Sequence, residues 1–126
     1  MDRKVIIEAG EVSSEALLAE SQAAIAIWDS LPVESTCNIW GDEVYFSIPL
    51  SLSLDETAKE VVEMGDLGYW PSGRALCIFF GPTPISKGNE IRPAASAVNI
   101  VGKIIGNPKI FKGVSPGTRV RVKKAE

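Results

Sequence analysis

The chain's capacity for chemistry is bounded first by an absence: none of its 126 residues is histidine. That removes His-dependent nucleophile triads, His general bases and His-ligated metal sites together. The two cysteines, Cys37 and Cys77, lie 40 residues apart, so no C-x-x-C redox or zinc pattern exists. Both sit in apolar strand contexts, where a small buried hydrophobe is the default reading. One such pair in an acidic chain does not describe a disulfide-stapled secreted scaffold. Carboxylates cluster at Asp42-Glu43, Asp55-Glu56 and Glu60/Glu63. Adjacent residues on a strand diverge, and the helically spaced ones sit on a solvated face. None forms a persuasive acid/base pair or an oxygen-ligand metal loop. Gly65-Asp66-Leu67-Gly68 lacks both the spacing and the strand-to-helix context of a phosphate-cradling loop. The expectation is no cofactor and no metal.

Cations and aromatics offer more. Arg92, beside Pro93, is the best-placed cation to grip a carboxylate or phosphate; its bland reading is a solvated charge or a partner for Glu90. Arg74 follows the Pro71-Ser72-Gly73 turn, where a salt bridge on a rim is the simpler role. Trp40, Tyr45, Tyr69 and Trp70 are suited to an apolar groove with polar handles, or to packing at the end of a sheet. On a strand Tyr69 and Trp70 point to opposite faces, so one of them must face outward or lie under a cap. Asn99 faces away from Val98 and Ile100, toward a ligand backbone or a neighbouring loop.

The elements that must hold these residues belong to one domain. At 13.5 kDa, with 45% hydrophobic residues, roughly two-thirds of the unfolded surface can be buried, enough for a single core. The longest apolar runs, Ala23–Trp28 and Ala75–Phe80, are six residues, against the ~20 needed to span a bilayer. Val5-Ile6-Ile7 is too short for a signal-peptide core, and a soluble cytoplasmic protein is expected. Arg3–Glu8 reads as an opening strand. Residues 14–31 carry the propensity of one long helix, yet alternation also allows a strand over Val12–Ala19. A helix would then start at Ser21 as N-cap, bury Ala24, Ile27, Trp28 and Leu31, and stop at Pro32. Ser35–Trp40, the Gly41-Asp42 turn and Glu43–Ile48 form a hairpin. Ser53 and Glu56 match a capping box, which predicts a short helix over Leu54–Glu63. Gly65–Trp70 and Ala75–Phe80 are strands, the second buried on both faces. Residues 81–96 have no periodicity and mark a functional or mobile loop. Val98–Ile105 is a strand interrupted by Gly102, Asn107–Val114 a brief helical turn, and Thr118–Lys123 the last strand.

Net charge is −3, but residues 1–70 hold fourteen acids and three bases (net −11), and residues 71–126 hold ten bases and two acids (net +8). A basic surface for a polyanion is one explanation. The better one is interleaving of the two halves, because the bases are scattered and few stacking aromatics accompany them. No nucleic-acid or membrane partner is expected.

The order of elements resembles the cyclophilin barrel. Strand, strand, helix over residues 3–31 is how that family begins. Ala75-Leu76-Cys77-Ile78-Phe79-Phe80 is similar to its strand with paired phenylalanines, and Ile100-Val101-Gly102-Lys103-Ile104 to its C-terminal end. The likeness is closer to small prokaryotic cyclophilin-like proteins of uncharacterised function. It lies in Trp40-Gly41-Asp42-Glu43-Val44-Tyr45-Phe46, Gly65-Asp66-Leu67-Gly68-Tyr69-Trp70-Pro71 and Phe79-Phe80-Gly81-Pro82-Thr83-Pro84. This resemblance implies a mainly β fold, a closed eight-stranded cyclophilin-like barrel capped by two short helices, with residues 12–19 a strand. Any site would then lie on the outer wall or in a mouth, because side chains fill the interior. Prolyl isomerases of that fold aim an arginine at the prolyl nitrogen to weaken the amide resonance behind a ~20 kcal/mol barrier. The matching hairpin here, Cys37–Ile48, has neither arginine nor glutamine, and the family's Trp…His pair is missing. The leading expectation is therefore a module without catalytic residues that binds a small molecule or proline-containing peptide. Its ligand-binding residues would be Tyr69, Trp70, Phe79, Phe80, Arg92 and Arg74, with loop 81–96 as a rim. The alternative is a weak peptidyl-prolyl cis–trans isomerase in which Arg92 or Arg74 supplies the hydrogen bond. A third reading is a homodimer joined through complementary charged faces.

Overall fold

The computed structural model describes residues 3–93 and 97–125. The first two strands, β1 (Arg3–Ala9) and β2 (Val12–Leu18), form a hairpin, followed by helix α1 (Gln22–Ser30). Ser21 caps α1, its hydroxyl accepting from the Ala24 amide at 3.2 Å, and Leu31 ends it before Pro32. Alternation in Val12–Leu18 thus prevails over helix propensity: Ala16 and Leu18 point into the core while Glu15 and Leu17 stay exposed. Next come β3 (Val33–Thr36), β4 (Asn38–Ile39), β5 (Glu43–Ser47), β6 (Ala58–Lys59), β7 (Asp66–Trp70), β8 (Ala75–Phe79), β9 (Val98–Ile105) and β10 (Arg119–Lys124).

All ladders are antiparallel, and the strands run in the order β3-β10-β1-β2-β9-β7-β8-β5-β4, with β6 added to β9. This corrects the expectation of a closed eight-stranded barrel: among the described residues the sheet has ten strands, and no ladder closes it. The two end strands are instead consecutive in the chain, separated by Cys37 alone. The Cys37 amide donates to Thr118 O and its carbonyl accepts from Gly117, both at 2.9 Å. The chain thus leaves the ladder with β10 and turns into the ladder with β5. The ends are joined by a covalent corner rather than by hydrogen bonds.

The two expected caps reduce to one α-helix among the described residues, beside 3-10 turns at Pro71–Gly73 and Pro108–Gly113. The predicted helix over Leu54–Glu63 does not form, because its backbone groups have other partners. Asp55 Oδ1 takes the Thr57 amide at 2.8 Å, Asn99 Oδ1 takes the Asp55 amide at 2.9 Å, and Asn99 Nδ2 donates to Ser53 O at 3.0 Å. An Asx turn and a buried amide thus outcompete the capping box. Loop 81–96 is irregular in its described part, yet it is tied down. Ser86 Oγ accepts from the Thr83 and Arg92 amides at 2.9 and 3.0 Å, Thr83 Oγ1 donates to Arg92 O, and Ile91 bridges to Val62. Residues 94–96 of that loop lie outside the described residues.

One apolar core fills the space between the sheet and α1, with Val5, Ile7, Ile27, Phe46, Leu67 and Val120 at its centre. A second, smaller cluster of Val62, Cys77, Phe79, Ile91 and Val98 lies apart from it, with Tyr45, Trp70 and Ile100 against it. Strand β8 supplies residues to both, Leu76 and Ile78 to the first and Cys77 and Phe79 to the second, so it is buried on both faces. Gly102 is needed where β2 crosses close: a Cβ there would lie 2.7 Å from Leu17 O. The charge split also resolves. β10 lies between β3 and β1, which places Arg119 3.4 Å from Glu34 and Lys123 3.6 Å from Glu8.

Candidate functional site

The register of β4, β5 and β8 builds the site. Gly41, at φ +61°, and Asp42 form the two-residue turn of the β4–β5 hairpin, and the Trp40 amide donates to Glu43 O at 2.9 Å. A Cβ at Gly41 would meet Pro84 Cδ at 2.7 Å, so the loop after β8 fits closely over this turn. Trp40 therefore stands opposite Glu43, Glu43 opposite Phe79, and Tyr45 opposite Cys77. Period-2 alternation sends Val44 and Phe46 into the main core and leaves Glu43 and Tyr45 on the outer face. Trp70, at the end of β7, meets Tyr45 edge to face with ring centroids 6.3 Å apart and an interplanar angle of 88°. Trp40, Glu43, Tyr45 and Trp70 together line a cavity of about 250 Å³.

Glu43 is the unusual member. It is only 4% exposed, and its Oε1 is the one buried side-chain oxygen or nitrogen among the described residues without a hydrogen-bond partner. Among the described residues no lysine or arginine pairs with it. Burial pushes its carboxyl up from 4.5 to about 7, with the Cys77 thiol acting weakly in the opposite sense. Burial first, and then Glu43 itself, raise Cys77 well above the ordinary thiol range, which keeps it a protonated, buried thiol.

The expected ligand-binding residues do not converge. Trp70 lines the groove. Tyr69 is fully buried on the opposite face, its hydroxyl donating to Leu50 O at 2.7 Å and accepting from the Leu52 amide at 3.1 Å. It holds residues 50–52 in place. Phe79 is buried in the outer cluster beneath the groove, and Phe80 packs in the main core against Phe111 with centroids 6.4 Å apart. Arg92 pairs with Glu90 at 2.9 Å, and the same hydrogen bond lowers the pKa of Glu90 and raises that of Arg92. Arg74 ends the Pro71–Gly73 turn in a left-handed conformation, φ 47°, and is exposed. Neither arginine lines the groove. Asn99 is fully buried and spent on the 53–55 backbone.

The aromatic pair Trp40 and Tyr45 is legible in the sequence as a groove wall; Glu43 is not. The alternation that puts Glu43 beside Tyr45 is there to be read, but its burial depends on Phe79 and on the chain folded over the turn. A larger groove of about 580 Å³ runs between α1 and residues 52–56, lined by Gln22, Ala26, Leu54 and Glu56 among others. It holds no buried polar atom lacking a partner. Among the described residues no group of three Cys, Asp or Glu side chains is placed to hold a metal ion, and no helix is long and apolar enough to cross a membrane.

Comparison with known proteins places this geometry in context. A family model described as Cyclophilin-like matches residues 3–123. The solution structure of the hypothetical protein AF2241 from Archaeoglobus fulgidus is 42% identical and superposes with a TM-score of 0.82. That match covers 98% of this chain and 95% of the archaeal one. No curated protein matches.

Proposed function

The chain belongs to the cyclophilin-like family, and on that premise we propose that it is a binding module. It takes a small molecule or a proline-containing peptide in the Trp40–Glu43–Tyr45–Trp70 groove. The observation that supports this reading is the groove itself: three aromatic side chains and one buried polar group around a single concavity on the outer face. A mostly apolar pocket with one oriented polar group is how small-ligand sites are built. The hairpin that would carry an isomerase's arginine carries Trp40 and Tyr45 instead. Arg92 is engaged by Glu90 and Arg74 is exposed, so binding is favoured over turnover.

The test is a fragment and proline-peptide set titrated into the protein. A ligand of the groove raises the melting temperature by mass action and shifts the Trp40 and Trp70 indole resonances. Both effects disappear in Trp70→Ala. A prolyl isomerisation assay run beside it should show no acceleration over the uncatalysed rate. Turnover that Arg92→Ala abolishes would replace the binding reading with the isomerase one.

A further inference from the structure

We infer that the occupant of this groove is a small organic ammonium ion, its charge held by Glu43 and its apolar stem by the Trp40, Tyr45 and Trp70 rings. The inference rests on the binding reading above and names its ligand class. A carboxylate enclosed among aromatic and aliphatic groups is costly unless a donor or a cation accompanies it. Several acids on the surface have cationic partners: Glu8 has Lys123, Glu34 has Arg119, and Glu90 has Arg92. Among the described residues Glu43 has no cation beside it; the Cys77 thiol is a hydrogen-bonding neighbour, and its Oε1 accepts nothing.

An oxygen without a donor specifies the ligand's head: an N–H group, and a charged one, because a charge-assisted bond is the stronger kind. A prolyl amide nitrogen carries no N–H and would leave Oε1 as it is. The walls specify the rest. Aromatic faces attract cations through their quadrupole, and Trp does so best. The hairpin turn sets Trp40 opposite Glu43, and Tyr45 lies two residues along the same face, edge-on to Trp70. At about 250 Å³ the cavity falls below the ~300–1,000 Å³ of sites for drug-sized ligands, so the ligand is short. A free alkylamine and the end of a lysine side chain share this chemistry.

The chain carries its own control. Trp28 lies on α1 with the Lys124 ammonium 4.8 Å from its ring centroid, outside the groove. The experiment titrates n-butylammonium, neutral 1-butanol and N-acetyl-lysine methylamide at pH 8, where the Glu43 carboxyl is ionised, and at constant ionic strength, following the three indole N–H resonances. Butylammonium should shift Trp40 and Trp70 while sparing Trp28, and bind at least about tenfold tighter than butanol, as expected for a charged hydrogen bond. Glu43→Gln should reduce it to the butanol level. A lysine amide that binds at least as tightly as butylammonium supports the inference with a polypeptide lysine as the source; a weaker one supports it with a free amine. Equal binding of butanol and butylammonium to the unmodified protein overturns the inference without any variant. So does a preference for the ammonium that survives Glu43→Gln. If neutral fragments or proline peptides move Trp40 and Trp70 and ammonium ions do not, the inference falls and the binding reading stands. If no probe moves either resonance, both fall.

Discussion

Glu43 and Tyr69 are two buried polar side chains with opposite fortunes. In the folded chain the Glu43 carboxyl keeps its proton up to about pH 7, against 4.5 for an ordinary glutamate. The native state therefore binds more protons than the unfolded chain between those two values. Its stability falls as pH rises through that window, in total by on the order of 3 kcal/mol. Glu43→Gln, which stays neutral, should flatten this component: its urea midpoint should exceed the wild type's at pH 8 and approach it at pH 5. A wild-type-minus-variant difference that does not change with pH would show that the carboxyl is not buried as described. Tyr69, by contrast, satisfies two backbone groups with one hydroxyl. Tyr69→Phe keeps the ring and leaves Leu50 O and the Leu52 amide without that partner, so it should cost about 1–3 kcal/mol in denaturant unfolding. Ordinary aromatic packing alone would make the change nearly neutral.

Strand elements are the most legible level, and the reasons are local. Val120 and Val122 alternate with Arg119, Arg121 and Lys123, and Val5, Ile7 and Ala9 with Lys4, Ile6 and Glu8. The first pattern has one solution when a single face is buried, and the second follows it in burial. The Leu54–Glu63 segment departs from its helical signal for a reason no local pattern contains. The side chain that dismantles the helix, Asn99, lies more than forty positions downstream and is delivered by β9. The site shares this asymmetry: the groove-lining rings belong to recognisable strands, while the isolation of Glu43 needs β8 and the loop beyond it. Gly102 shows how tightly these elements meet. A Cβ at this position would stand 2.7 Å from Leu17 O and 3.2 Å from Leu67 Cδ1, so Gly102→Ala must push β2 or β7 aside. It should destabilise by about 1–3 kcal/mol, measured by thermal or urea unfolding, and shift amide resonances in both strands.

Over the molecule as a whole, the opposed charges of the two halves turn out to be neighbours. β10, rich in Arg and Lys, is flanked by the acidic residues of β1 and β3. The pairs are exposed: Arg119 and Glu34 keep 67% and 48% of their side-chain surface, so their individual contribution is small. Arg119→Gln should change stability by no more than about 1 kcal/mol, with the difference shrinking at high salt. A larger, salt-independent loss would mean that this pair organises the β3–β10 ladder rather than decorating it.

The position of β4 has a consequence for how anything gets in. Only two residues long, it ends the strand order and is hydrogen-bonded to β5 alone, yet Trp40 follows directly from it. One side of the groove is therefore hung on a two-residue strand paired along one edge only, while the opposite side, β7 and β8, is clamped between other strands. Opening should be lopsided, a local parting of β4 from β5 that costs far less than global unfolding. Hydrogen exchange would register it as weak protection of the Trp40 amide beside strong protection across β8, and a bound guest would slow the first while leaving the second untouched.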